Sequence, residues 1–136
     1  EDVKAKDIAN AYSQVLSTIF TQQMKPYEVE LLVGEIDSDG GRNALYHVLF
    51  DGSVNDEDGF VAIGGHAEEL TAALRAVYEP AWDLPTAFRK AIGALAGVEE
   101  RTIEPATVEA GVLERSRPQR RKFRRISDAD VSALLG

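Results

Sequence analysis

The chain is 136 residues long, 44% hydrophobic and free of cysteine, which is one folded domain's worth of sequence and excludes disulfides, thiolate metal sites and a thiol nucleophile. Its formal charge of −8 argues against general nucleic-acid binding. No apolar run approaches the ~18 residues of a membrane span, so a soluble product is expected, and the absence of cysteine fits a reducing cytoplasm.

The chain opens at Glu1 without an initiator Met and runs straight into a helical pattern, so it is expected to be part of a longer protein. Ile8, Ala11, Tyr12, Val15, Leu16, Ile19 and Phe20 recur at the three-and-four spacing of one helical face. Asp2 is placed to cap this helix, and Pro26 closes it by forcing Lys25 towards extended backbone. From Tyr27 to Asp37 the period changes to two, as in a strand. Loop residues 38–43 follow, and Ala44 to Phe50 read as the returning strand of a hairpin with two largely apolar faces. An acidic loop, Asn55 to Gly59, leads to a short third strand, Phe60 to Ile63.

Gly64-Gly65 ends that strand, and a second helix starts near His66 with Leu70, Ala73, Leu74, Val77 and Tyr78 on its buried face. Asp83 caps a third helix, Pro85 sits in its first turn, Leu84, Phe88, Ala91, Ile92 and Leu95 form its apolar stripe, and Gly97 is its expected stop. Thr107 to Glu114 and Lys122 to Ile126 read as strands joined through Pro118, and Asp128 to Leu135 as a closing helix. Strands apolar on both faces belong in a sheet covered on both sides. The first three strands are expected in one sheet, with the Leu70/Leu74/Val77 and Phe88/Ile92/Leu95 stripes on one face and further chain on the other.

Charge is segregated along the chain. Arg115, Arg117, Arg120, Arg121, Lys122, Arg124 and Arg125 are seven of its 15 basic residues, and the rest sets eight bases against 23 acids. Beside so acidic a body, these side chains are expected to meet carboxylates of the same chain or of a neighbouring subunit rather than phosphates.

The order of elements and several local motifs resemble the second half of a proteasome-type subunit. Lys25-Pro26-Tyr27-Glu28-Val29-Glu30-Leu31 resembles the segment by which α-type subunits enter their central hairpin. Asp51-Gly52-Ser53-Val54 resembles the turn after the returning strand, and Phe60-Val61-Ala62-Ile63-Gly64-Gly65 the strand-to-helix junction. The stretch Arg117 to Ile126 is similar to the late basic segment of actinobacterial α subunits. The resemblance implies an α+β fold, part of the four-layer α-β-β-α sandwich of N-terminal-nucleophile hydrolases, with mainly antiparallel sheets. Residues 1–136 would be the C-terminal half of one such domain, and the missing cover on the sheet would come from the N-terminal half.

Within this family only β-type subunits are peptidases, through an N-terminal Thr whose free amine acts as base for its own hydroxyl. This chain begins with Glu1. Where β-type subunits carry a Gly-Ser-Gly turn it has Gly64-Gly65-His66, and where they carry an Arg-Asp-x-x-Ser-Gly loop it has Val98 to Glu104. The resemblance therefore implies a non-catalytic α-ring component that serves ring assembly, substrate gating and activator docking in ATP-dependent protein degradation. Its implied partners are other α subunits in a heptameric ring, β-type subunits and a ring-shaped ATPase or other activator, with no nucleic acid and no membrane. The alternative is a divergent N-terminal-nucleophile hydrolase whose active half lies outside this sequence.

Other chemistry finds little support in the residues. His47 and His66 are the two histidines and show no ligand spacing, so neither a metal site nor a cofactor is expected; His47 is assigned to a place in or beside the hairpin core and His66 to a helix start. There is no Gly-x-Ser-x-Gly elbow, and the pairs Asp56/Asp58 and Glu68/Glu69 read as loop and helix-start charges. Trp82 reads as a packing plug between helices. No catalytic residue is expected.

Overall fold

The structure, a computed structural model, describes residues 3–22, 29–37 and 39–136. It divides into two compact units, Glu1–Val61 and Ala62–Gly136. The cap at Asp2, the closing Lys25-Pro26 and the strand start at Tyr27 lie outside the described residues.

The first unit is one helix on a three-stranded sheet. Helix α1 spans Ala5–Gln22, and strands β1 (Leu31–Glu35), β2 (Ala44–Val48) and β3 (Val54–Asp56) pair antiparallel in the order β1-β2-β3. Ala5, Ala9 and Leu16 are buried along α1, and Ala9 and Leu16 pack with fully buried Val48. Leu31, Val33, Tyr46 and Val54 surround that cluster from alternate positions of the three strands. The sheet's cover is thus α1; the Leu70/Leu74/Val77 and Phe88/Ile92/Leu95 stripes, to which the sequence assigned it, belong to the second unit.

The third strand differs from expectation, since the segment paired with β2 is Val54–Asp56 and not Phe60–Ile63. The cause is the tight turn after β2. Gly52 N–H donates to Leu49 O at 3.0 Å, Leu49 N–H donates to Ser53 O at 2.9 Å, and Asp51 Oδ1 accepts from Ser53 N–H at 2.9 Å. Gly52 has φ +91°, which a side chain would strain. The chain therefore reverses within four residues and pairs at once, opposing Val54 to Val48. Leu49 and Phe50 fall in the turn rather than in the strand, and Asn55 and Asp56 leave the acidic loop to join the ladder.

The second unit holds α2 (Ala67–Arg75), α3 (Leu84–Glu99), a 3-10 turn at Pro105–Thr107, β4 (Ala110–Leu113), β5 (Phe123–Ile126) and α4 (Asp128–Leu135). Helix α3 begins as its cap dictates: Asp83 Oδ1 accepts from Thr86 N–H at 2.9 Å. It does not stop at Gly97, which stays inside the helix. The stop is Glu100, in the left-handed region at φ 52°. Helix α2 packs on α3, and α4 on α3 and the 3-10 turn, with Leu70, Ile126 and Val131 buried. Tyr78 and Trp82 meet edge to face at 5.5 Å in the connection between α2 and α3, the packing role read for Trp82. Strand β4 is shorter than Thr107 to Glu114, because Thr107 and Val108 N–H groups turn back to Glu104 and Pro105 carbonyls. β4 and β5 pair antiparallel, Ala110 opposite Ile126 and Leu113 opposite Phe123.

Candidate assembly surfaces

The two segments that the resemblance sets against the support loops of β-type subunits, residues 64–66 and 98–104, are a turn and a helix end. Gly64, at φ +112°, opens α2 by accepting from Ala67 N–H at 3.3 Å, and His66 Nδ1 lies 3.0 Å from Glu69 Oε2 on the same exposed turn. Val98 to Glu104 is the end of α3 and its left-handed exit, where Arg101 Nε donates to Glu99 at 2.6 Å. The first place holds no serine, and the Ser-Gly of the β-type loop is absent from the second. No group of side chains able to hold a metal ion occurs among the described residues.

His47 lies beside the hairpin core, on the sheet face away from α1. Tyr46 and Val48 point into the core, so the alternation of β2 turns His47 outward between Leu32 of β1 and Asn55 of β3. Its Nε2 is 2.5 Å from Glu30 Oε2 and its Nδ1 3.8 Å from Glu57 Oε1, while the imidazole is only 13% exposed. Both ring nitrogens face carboxylates, so the trio is not itself a nucleophile–base pair. Sequence reading missed these partners, although Glu30, His47 and Glu57 all fall off the apolar alternation.

What the described residues do present is uncovered apolar surface. Only part of the α1 stripe faces the sheet: Ile8, Tyr12 and Val15 lie on a neighbouring flank of the helix and are exposed, Val15 to 54%. Phe20 and Phe50 meet with their rings tilted by 59° and 5.9 Å between centroids, across the end of α1 and the β2–β3 turn, and both are exposed. On the sheet's other face Leu32 is exposed beside His47. Isolated exposed apolar residues such as Leu32 are ordinary, but a run of them along one helix flank makes a candidate contact surface.

The basic hairpin is largely paired within its own chain. Arg124 donates through Nε and Nη2 to Glu114 at 3.0 and 3.4 Å, and Arg125 lies 3.8 Å from Glu109. The hydrogen bond from Arg124 holds the Glu114 carboxyl below its ordinary range, against the partial desolvation that would raise it, and the same bond raises Arg124. Arg117 donates to Phe123 O at 2.5 Å, Lys122 donates to Arg117 O, and Arg121 lies 5.9 Å over the Phe123 ring. The expectation that these cations meet carboxylates is met within the chain for Arg124 and Arg125; Arg117 and Lys122 instead tie the hairpin's backbone.

Comparison with known proteins adds to this geometry. A family profile described as proteasome subunit matches residues 1–113. The chain is similar to the proteasome subunit alpha of Mycolicibacterium vanbaalenii, 46% identical over 98% of this chain and 55% of that protein. It is similar to those of Kineococcus radiotolerans (44%, covering 98% of this chain and 60% of that protein) and Thermobifida fusca (43%, covering 98% and 54%). The chain thus spans about half the length of these relatives.

Proposed function

The chain belongs to the proteasome subunit family, and from that premise we propose that it acts as a non-catalytic, structural α-type component of a proteasome core particle. The observation that carries the reading is similarity to actinobacterial α subunits along nearly its whole length. The site geometry supports the same side, since the two places that carry peptidase support in β-type subunits are here a glycine turn without a serine and a helix exit. In this role the chain contributes the later elements of a four-layer sandwich, residues 1–136 forming the C-terminal half of one domain. Its uncovered helix flank and sheet face receive the remainder of that domain or neighbouring subunits.

The proposed partners are other α subunits in a heptameric ring, β-type subunits and a ring-shaped ATPase or other activator, in the cytoplasm. The test is co-expression with a β-type subunit, followed by native mass spectrometry and a fluorogenic peptide assay on the chain alone. Association with α- or β-type subunits and no turnover by the isolated chain is expected. Turnover that a threonine-directed reagent abolishes, in a preparation free of β-type subunits, would overturn the non-catalytic reading and favour a divergent hydrolase.

A further inference from the structure

We propose that Asp58-Gly59, in the loop that leaves β3, is a site of spontaneous aspartate isomerisation, and that the fold protects the chain's two other Asp-Gly pairs, Asp39-Gly40 and Asp51-Gly52, from the same reaction. The reaction needs only the chain and water. The backbone nitrogen of the glycine attacks Cγ of the preceding aspartic acid, an N–Cγ bond forms, and the carboxyl's hydroxyl leaves as water with the proton that the nitrogen loses. Solvent water then opens the cyclic imide at either carbonyl. One opening restores aspartate; the other leaves isoaspartate, in which the backbone runs through the side-chain carbon and the mass is unchanged. Glycine favours the attack because no side chain crowds its nitrogen.

The three glycines share one backbone sense, with φ +85° at Gly40, +91° at Gly52 and +88° at Gly59, so the glycine's own conformation does not separate them. What holds the two reacting groups does. Gly52 N–H donates to Leu49 O at 3.0 Å, and Asp51 Oδ1 accepts from Ser53 N–H at 2.9 Å and from Ser53 Oγ. The side-chain and then the backbone hydrogen bond from Ser53 hold that carboxyl below its ordinary range, in the ionised form that is a poor electrophile. Gly52 is also wedged against Ser13 and Ser17 of α1, so its nitrogen cannot swing towards Cγ. At the second pair the nucleophile is tied, since Gly40 N–H donates to Asp37 O at 3.1 Å and Asp39 N–H to Asp37 Oδ1 at 2.9 Å. Asp58 differs from both. Its side chain is 97% exposed, and Arg42 Nη2, at 4.0 Å, is too distant for a hydrogen bond. Among the described residues no backbone hydrogen bond engages the Gly59 N–H. Glu57 N–H donates to Leu45 O at 2.8 Å just past β3, and Asp58 lies beyond that bond. The carbon that isoaspartate adds to the backbone therefore falls outside the β2–β3 ladder, and the product stays folded. The inference stands on the first unit alone and does not depend on the proteasome reading.

The test is ageing of the 136-residue chain in neutral buffer and, in parallel, in urea, followed by peptide mapping with fragmentation that distinguishes isoaspartate from aspartate. In buffer, isoaspartate is expected to accumulate at Asp58 at least about tenfold faster than at Asp51, where attack must first break hydrogen bonds. Asp39 is expected between the two. In urea the three rates converge, because the dipeptides are alike and only the fold sets them apart. Ser53→Ala, which removes one of the two bonds to the Asp51 carboxyl, raises the rate at Asp51 in buffer and leaves that at Asp58 unchanged. Isomerisation of Asp51 or Asp39 as fast as that of Asp58 in buffer, or the same ranking in urea as in buffer, would overturn the proposal, and neither comparison needs a variant that must fold.

Discussion

Gly52 leaves little room for a side chain, and Gly52→Ala tests how the hairpin is joined to α1. Two independent costs meet there. The backbone holds φ +91°, and an added Cβ would stand 2.6 Å from Ser17 Cβ, 2.7 Å from Ser13 O and 2.9 Å from Ser17 N, all on α1. The contacts are to helix backbone and a Cβ, which cannot swing aside, and moving the turn would break the bond from Ser13 Oγ to Gly52 O. The left-handed conformation costs about 1–2 kcal/mol for an L-residue, and overpacking against a fixed wall a further ~1–3 kcal/mol. The sum, about 2–5 kcal/mol, is a large part of the ~5–15 kcal/mol that holds a typical domain folded. Gly40 isolates the first cost, because it has φ +85° and nothing within 4 Å of the position its Cβ would take. Urea unfolding followed by circular dichroism should rank the unsubstituted chain above Gly40→Ala and Gly40→Ala well above Gly52→Ala. If the two variants unfold within about 0.5 kcal/mol of each other, a difference too small for overpacking, the close approach to α1 is wrong.

The Arg124–Glu114 bond depresses the Glu114 carboxyl, so its contribution is present above the carboxyl's unfolded-state range and is lost as pH falls through the lower folded-state range. Acid unfolding of Glu114→Gln should accordingly be less steep than that of the unsubstituted chain, and a parallel acid limb would refute the pairing. Arg124→Lys should behave like the loss of the pair, because one ammonium cannot reproduce the two-nitrogen contact at 3.0 and 3.4 Å. Ser127→Ala removes the oxygen that accepts from Asp130 N–H at 3.2 Å at the start of α4, and should cost about 1 kcal/mol in urea unfolding. Tyr12→Ser with Val15→Ser, on the exposed flank of α1, should leave helical content unchanged and reduce association of the chain in analytical ultracentrifugation; unchanged association would remove that flank from the list of contact surfaces.

Helices were more legible than strands, for a physical reason. The start of α3 is written in Asp83 and Pro85, the closing helix in the run Asp128–Leu135, and local hydrogen bonds decide both. The pairing of β3 depends on Gly52 packing against Ser13 and Ser17, residues 35 or more positions earlier in the chain, and β3 itself offers a single apolar side chain, Val54. Three residues with one apolar position show no alternation, whereas Phe60 to Ile63 looks like a strand and is not one. For α1 the period identified the apolar residues but not their partners, since a wide apolar arc does not say which part meets the sheet. The basic stretch was legible as charge, yet its pairing with Glu109 and Glu114 required the β4–β5 register.

The distribution of apolar side chains decides what kind of stability this chain has. In the first unit the α1–sheet seam buries Ala9, Leu16 and Val48, whereas Ile8, Tyr12, Val15, Phe20, Leu32 and Phe50 stay exposed. Fully burying a large apolar side chain contributes about 1.5–3 kcal/mol. Covering even part of the flank of α1 and the outer face of the sheet would therefore add an amount comparable with the net stability of a whole domain, about 5–15 kcal/mol. Stability of that kind depends on what covers the surface and, where the cover is a separate chain, on its concentration. The seam needs Gly52 and Val48, while the flank needs Tyr12 and Val15 only once something rests on them. Substitutions at the seam should thus act on the α1–sheet packing in every context, whereas substitutions on the flank should act only through whatever covers it: on folding where the cover is the rest of the domain, on assembly where it is a neighbouring subunit.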